Sequence, residues 1–311
     1  MAEPTRCTLV IGEVLIDVVR RADGSVDEHA GGSPANVALG LGRLGHQVQF
    51  ATQIGDDAHG RMISDRLRAA GVELSDHSVT ASPTSTAIAT LDRSGAARYE
   101  FEITWERFAE LPTTDVTHVH CGSIATTLQP GADSVLDYIK AHRQRVSVSY
   151  DPNARPSLMG DPVDVAATVE RLVGLSDVVK ASDEDIEWLY PGTPLLDVLQ
   201  RWSALGATLL VITRGGGGAV VRTGTDTDAT AFRAPPVDVV DTVGAGDSFM
   251  AGLISGLLDD GYLGGPQARD RLQAATTHDV RASVERALAC AAVTVSRPGA
   301  DPPRRDELPA R

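Results

Sequence analysis

From residue 116 onward, short apolar runs alternate with longer amphipathic stretches, and few folds accommodate that alternation. The runs are 116–121, 146–150, 178–180 and 209–213, each built around Val, Leu or Ile. Stretches with apolar residues at helical spacing separate them, near 132–142, 163–174, 183–190 and 195–205. Strands joined through helices run parallel, and a parallel sheet buries both faces. The expected fold class is therefore α/β, a three-layer α/β/α sandwich on a mostly parallel central sheet. Ligands of such open sheets bind beyond the carboxyl ends of the strands. The glycine-rich and polar strings of this chain follow strand ends, which marks one edge of the sheet as the candidate site.

The N-terminal part breaks the alternation. Cys7-Thr8-Leu9-Val10-Ile11-Gly12 reads as a first strand and 13–19 as another that leaves the core, before a turn at Asp23-Gly24-Ser25. Gly31-Gly32-Ser33-Pro34-Ala35-Asn36 then opens a helix. Ser33 is the expected N-cap and Pro34 the first helical residue. Val37, Leu41 and Leu44 share a face, and Gly45 ends the helix. A strand over 48–54 and a helix over 58–70 follow. Residues 86–91 and 98–102 flank Asp92-Arg93-Ser94-Gly95 as a hairpin. The segments 13–30 and 84–112 are thus expected to form a small β-sheet that projects as a lid and shields a substrate from water. Residues 1–311 read as a single domain without repeats or a linker, ending in a loosely held tail over 304–311.

Composition narrows the function. With 42% hydrophobic residues the chain has material for a core, and a formal charge of −14 disfavours binding to nucleic acid or an anionic membrane. No stretch is long and apolar enough to span a bilayer, and the first six residues lack a signal-peptide pattern. Cys7, Cys121 and Cys290 have no metal-ligand or disulfide spacing and are expected to be buried thiols. A reducing, cytoplasmic setting is the expectation. His118 and His120 alternate with Val119 and read as a polar strand face.

The chemistry concentrates in Asp241-Thr242-Val243-Gly244-Ala245-Gly246-Asp247, which runs straight into the apolar string Ser248-Phe249-Met250-Ala251-Gly252-Leu253-Ile254. Free N–H groups at a helix start attract anions, and the helix dipole adds positive potential. Gly244 and Gly246 let the backbone approach a phosphate closely. A carboxylate at Asp247 suits proton removal from a group attacking that phosphate; the plain alternative is a helix cap. Asn36 offers donor and acceptor atoms from a first helical turn, or faces solvent. Asp17 within an apolar run needs a partner if buried. Tyr150-Asp151-Pro152-Asn153-Ala154-Arg155-Pro156 forms a rigid loop at a strand end, where Arg155 can take a phosphate in bidentate fashion or remain an ordinary surface arginine. Ser182 is a natural N-cap ahead of Asp183, Glu184 and Asp185. Thr213-Arg214-Gly215-Gly216-Gly217-Gly218 joins two strands, so it is no dinucleotide fingerprint, and no P-loop string exists.

Together the Asp-Thr-x-Gly-Ala-Gly-Asp string and the Gly-Gly-Ser-Pro-Ala-Asn string resemble the two signatures of the ribokinase-like (PfkB-type) carbohydrate kinases. The likeness runs from Leu9 to about Ala300, and Asp-Pro-Asn-x-Arg-Pro is similar to the fructokinase branch. The resemblance implies a ribokinase-like fold with ATP and Mg²⁺ as cofactors. It implies an anion hole at Gly244, Ala245, Gly246 and Asp247, with Asp247 as catalytic base and Arg155 on the transferring phosphoryl group. Asp17, Gly31, Gly32, Asn36, Asn153 and Trp105 would line the sugar pocket. Lys180, Ser182, Thr213, Arg214, Gly215 and Gly218 would lie along the nucleotide. Many ribokinases read Asn-x-x-Glu here, a pair associated with metal-bound water; this chain reads Ser182-x-x-Asp185, so Asp185 stands at the metal-water position while the departure points away from ribose as the substrate. Asp241, Val243 and Gly299 would flank a monovalent cation, K⁺.

The expected activity is phosphoryl transfer from ATP to a primary sugar hydroxyl, with fructose the first candidate. A 2-keto-3-deoxygluconate kinase remains open, since Arg98, Arg107 or Arg155 could meet an acid. So does a nucleoside kinase, since Tyr99, Phe101 and Trp105 could stack on a base. A non-catalytic sugar or nucleotide sensor is the alternative of another class. The exposed edge of the lid suggests pairing into a homodimer.

Overall fold

The computed structural model describes residues 7–91 and 97–309. The hairpin turn Asp92-Arg93-Ser94-Gly95 and the first six residues lie outside the described residues. In chain order the strands begin with β1 (Cys7–Ile11), β2 (Leu15–Arg20), β3 (Val26–Gly31), β4 (Gln47–Ala51) and β5 (Ile54–Gly55). They continue with β6 (Val72–Leu74), β7 (Val79–Thr80), β8 (Thr86–Leu91), β9 (Ala97–Glu102) and β10 (Val116–Gly122). The last are β11 (Ser147–Asp151), β12 (Val178–Ser182), β13 (Leu209–Thr213), β14 (Ala219–Thr223) and β15 (Thr230–Phe232). Helices α1 (Ser33–Arg43), α2 (Ala58–Arg68), α3 (Gly131–His142), α4 (Pro156–Met159) and α5 (Pro162–Val173) occupy the first half. Helices α6 (Asp183–Leu189), α7 (Leu195–Leu205), α8 (Ala245–Asp259), α9 (Pro266–Ala274) and α10 (Arg281–Val295) complete the chain.

Nine strands form the central sheet in the order β15-β14-β13-β12-β11-β10-β1-β4-β6. It is parallel from β6 through β13, and β14 and β15 turn back antiparallel. Side chains along a strand alternate between faces, and the core follows that rule. Val10 on β1 and Leu209 and Val211 on β13 face one apolar cluster, shared with α1, α8 and α10. Leu9, Ile11, Leu210 and Ile212 face the other, shared with α3, α5 and α7. Helices therefore cover both faces, as the alternation predicts.

A separate sheet in the order β3-β2-β8-β9 forms the lid. β2 pairs antiparallel with β3 and parallel with β8, and β8–β9 is the expected hairpin. The lid ends at Glu102, short of the expected 112. Trp105 has already returned to the core, because its indole buries a large apolar area there.

Two further expectations need correction. The strand expected over 48–54 stops at Ala51, and Ile54–Gly55 pairs instead with β7. The tail is not loose over its described part. Arg305 Nε donates to the Leu44 carbonyl at 2.5 Å, and its Nη1 pairs with Asp259 at 2.8 Å. Arg297 pairs with Glu307. His118 and His120 do form a polar strand face, but a fully buried one. His118 hydrogen-bonds the hydroxyls of Ser147 and Ser149, each at 2.9 Å, and His120 shares Ser149 at 3.0 Å. Burial pushes both imidazoles down to about 3. The three cysteines are free and buried, and no described helix is long and apolar enough to cross a membrane.

Candidate active site

The first turns of α1 and α8 meet at one carboxylate. Gly32 holds the cap position of α1 with φ 104° and contributes no side-chain cap. A Cβ at Gly32 would lie 2.7 Å from the Glu13 carbonyl oxygen and 2.9 Å from Val14 Cα, so both the dihedral and the space demand glycine. Ser33 is thus the first helical residue rather than the expected cap, and Pro34 the second. Relieved of capping, Ser33 Oγ donates to Asp247 Oδ1 at 2.6 Å, and Asn36 Nδ2 donates to Asp247 Oδ2 at 2.8 Å. All three residues are buried.

Asp247 stands at the third position of α8. Gly244 caps that helix in the left-handed region, φ 74°, again without a side-chain cap. A Cβ there would fall 2.9 Å from Ala300 Cα. The Ala245 amide donates to the Thr242 carbonyl at 3.2 Å, while the Gly246 and Asp247 amides have no carbonyl one turn earlier, and the positive end of the dipole lies among them. The turn is a cradle open to an anion. Under it, Lys180 Nζ forms a buried ion pair with Asp151 Oδ2 at 2.8 Å. The same Nζ would sit 3.0 Å from a Cβ placed on Gly246. Burial opposes the ammonium charge, but Asp151, Asp185 and Asp247 outweigh it and raise the Lys180 pKa. Burial pushes Asp151 up to about 6 against the pull of Lys180. The cation is therefore held charged directly beneath the glycine turn.

The loop after β11 is tied to α6. Ser182 Oγ accepts from the Asp185 amide at 3.0 Å and Asp185 Oδ2 accepts from the Ser182 amide at 2.8 Å, a reciprocal capping box. Asp185 Oδ1 also accepts from the Ala154 amide at 2.7 Å. Asn153 adopts φ 38°, and its Nδ2, like Asp151 Oδ1, is a buried polar atom without a protein partner. Such atoms mark places where a ligand or water completes the bonding. Arg155 is exposed, and its Nη1 donates to Asn153 Oδ1 at 2.8 Å and to the Ala154 carbonyl at 2.9 Å.

On the lid side, β2–β3 pairing sets Asp17 opposite His29. A Cβ on Gly31 would lie 2.2 Å from Asp17 Oδ2, so glycine makes room for that carboxylate. Crowding by protein atoms raises the Asp17 pKa, while His29 and Arg155 pull it down. Glu13, which sequence reasoning passed over, is buried where β1 ends. Its Oε2 accepts from the Ala125 amide at 3.1 Å, and burial pushes it up to about 7. A carboxylate directly after Gly12 in an apolar run was the available signal. Trp105 is buried beside Glu13's partner: its Nε1 donates to the Ala125 carbonyl at 3.0 Å and its ring meets Phe108 edge-on.

Farther along the sheet edge, Thr213 Oγ1 donates to the Ala181 carbonyl at 3.3 Å and the Arg214 amide to the Gly218 carbonyl at 2.8 Å. Gly215 faces open space. Gly218 is explained by packing, since a Cβ there would lie 2.0 Å from the Phe232 carbonyl oxygen. Beside the α8 turn, Asp241 Oδ1 accepts from the Val243 amide at 3.0 Å and Oδ2 from the Gly299 amide at 2.8 Å. The three residues named for a monovalent cation are therefore joined through one carboxylate.

A family model described as pfkB family carbohydrate kinase matches residues 7–307. A fructokinase from Rhizobium leguminosarum bv. trifolii is 36% identical over 267 residues, covering 82% of this chain and 81% of that protein. Among solved structures, a fructokinase from Xylella fastidiosa superposes with a TM-score of 0.81 at 25% identity, covering 97% of each chain. A double-mutant fructokinase from Vibrio cholerae O395, in fructose, ADP and potassium ion bound form, superposes with a TM-score of 0.79 at 25% identity. It covers 96% of this chain and 95% of that one.

Proposed function

The chain belongs to the pfkB family of carbohydrate kinases, and on that premise we propose that it is a fructokinase, converting fructose to fructose 6-phosphate with ATP. The observation that carries the reading is the meeting of α1 and α8 at Asp247. In this reading the buried carboxylate serves the glycine turn of its own helix and a sugar held from the α1 side. Asp247 accepts the proton of the primary hydroxyl as that oxygen attacks the γ-phosphorus. The amides of the 244–247 turn hold the phosphate oxygens as charge develops, with Lys180 beneath them, the arrangement by which phosphoryl transfer is generally accelerated. Arg155, released from its own loop, reaches the group in transit. Asp17, Gly31, Gly32, Asn36 and Asn153 orient the sugar, and the lid excludes water.

A bound magnesium nucleotide supplies the transferable phosphoryl group and offsets its charge. The donor set fits an ion held by phosphate oxygens. Among the described residues no three His, Cys, Asp or Glu side chains converge as ligands, and both Asp185 oxygens already accept amides. Asp185, whose oxygens each keep a further lone pair, would face water on such an ion. Ser182, Thr213, Arg214, Gly215 and Gly218 shape the nucleotide side, and the segment joining Asp241, Val243 and Gly299 would hold a potassium ion. The edge strand β9, with Tyr99 and Phe101 exposed and stacked, pairs two copies into a dimer.

Fructose is favoured over an acid sugar because the similar proteins are fructokinases. A coupled ADP-release assay across fructose, 2-keto-3-deoxygluconate, ribose, tagatose and nucleosides tests the reading. Fructose should give the highest kcat/KM. Preference for another acceptor overturns the substrate, and ADP release that ignores every sugar overturns the catalytic role.

A further inference from the structure

Ser33 lies at the start of a helix it does not cap. Gly32 holds the cap and Pro34 follows, so no local role accounts for the hydroxyl. It is 6% exposed, and its Oγ donates to Asp247 across 214 positions of sequence. Asn36, on the next exposed-to-site position of the same turn, grips the other carboxylate oxygen. Two donors on two oxygens fix the rotation of the carboxylate about its Cβ–Cγ bond. Each oxygen keeps a second lone pair for an incoming hydroxyl proton. The two donors are not equivalent. A hydroxyl can rotate and accept once the carboxyl carries a proton, whereas an amide nitrogen only donates.

We infer that Ser33 is a positioning residue for Asp247, holding Oδ1 so that the free lone pairs of the carboxylate face the substrate hydroxyl. The inference rests on the reading of Asp247 as base. It separates Ser33 from the sugar-pocket residues: Ser33 acts through Asp247, so its loss acts on turnover rather than on substrate affinity. A hydrogen bond to a charged group is of a strength whose removal slows a reaction by about ten-fold or more when it orients the reacting base.

The test is steady-state kinetics with fructose and ATP on Ser33→Ala, Asp247→Asn and the double variant, with melting temperature recorded for each. Ser33→Ala should lower kcat about ten-fold and leave both KM values within about two-fold, as expected for a lost transition-state contact. In the Asp247→Asn background the same change should cost less than about two-fold, because coupled residues do not add. Ser33→Thr, which keeps the hydroxyl, should restore most of the turnover. Wild-type kcat in Ser33→Ala overturns the inference, and so does a full ten-fold loss repeated on top of Asp247→Asn. If Ser33→Ala does not fold, Ser33→Cys replaces it, since a thiol keeps the volume and loses the strong donor; turnover equal to that of Ser33→Thr then overturns the inference. Wild-type turnover in Asp247→Asn alone removes the base itself. A disabled Asp247→Asn beside an unaffected Ser33→Ala removes only the role of Ser33.

Discussion

Helices α6 and α8 each carry an aspartate at the third position of the first turn, and they use it in opposite ways. In α6 the cap is Ser182, whose hydroxyl accepts from the Asp185 amide while Asp185 reaches back to the Ser182 amide. In α8 the cap is Gly244 in the left-handed region. It has no hydroxyl to offer, and Asp247 turns to Ser33 and Asn36 of α1 instead. A side-chain cap stabilises a helix by about 1 kcal/mol, and α8 forgoes it. Its compensation is tertiary. A Cβ on Gly252 would lie 2.9 Å from Ala287 Cα, and one on Gly256 2.6 Å from Ser283 Cα, so α8 and α10 pack almost backbone to backbone. A closed helix start is a structural device. An open one, with its carboxylate held by another helix, is free to meet an anion.

The largest effect should come from closing the open end. Gly244→Ser imports the cap chemistry of α6, but at φ 74° and against Ala300 the side chain distorts the turn. Turnover should fall about 10²-fold or more, the scale of losing oriented oxyanion donors, with no gain in melting temperature. Gly244→Ala should fall equally. A stabilised, active Gly244→Ser protein would show that the turn tolerates a cap and that the contrast with α6 carries no function.

The reciprocal change opens α6. Asp185→Ala strips the Ser182 and Ala154 amides of their acceptor and should lower unfolding free energy by roughly 2 kcal/mol, read from urea midpoints. Asp247→Asn should cost clearly less stability. Equal costs would mean that both carboxylates are structural.

Acid should separate the two helices further. The loop after α8 is anchored where the Gly264 amide donates to Ser147 Oγ at 2.9 Å, and Ser147 bonds His118. His118 and His120 titrate near 3 when folded and near 6.5 when unfolded. The unfolded chain therefore binds more protons between those values, and stability falls as pH drops from about 6.5 to 3. Glu13, raised to about 7 from 4.5, works the other way and lowers stability as pH rises through 4.5 to 7. Below pH 4.5 the histidine loss stands unopposed by Glu13. Amide exchange near residues 260–265 should quicken there before exchange in α6 does. The reverse order would detach α8 from the histidine layer. The smallest effect belongs to the tail: Arg305→Ala should cost at most about 1 kcal/mol, as half-exposed ion pairs do.

Local sequence made most of this legible where local rules govern the outcome. Strand–helix alternation, period-two burial and the capping box at Ser182 depend on neighbours within a few residues. The turn at Gly244 was recognisable because glycine, glycine and aspartate at that spacing have few other uses. Ser33 was misread as a cap because a rule confined to the helix start does not register a partner 214 positions away. Gly218 has a packing requirement as well, a close approach to the Phe232 carbonyl that leaves no trace in its own string. Trp105 read as a lid aromatic for a similar reason: the lid ends three residues earlier, and only tertiary packing shows it. The tail was expected to be loose because its anchors, Leu44 and Asp259, lie at the ends of helices α1 and α8, far away in sequence.

The central claim is that the aspartate of the open helix removes the proton from the sugar. Fructose-dependent ADP release by Asp247→Asn, measured beside wild type at saturating ATP and fructose, tests it most directly. The account predicts turnover lower by about 10²-fold or more, the scale of a lost general base, in a protein that melts like wild type and still binds ATP. Turnover within a few-fold of wild type would contradict it.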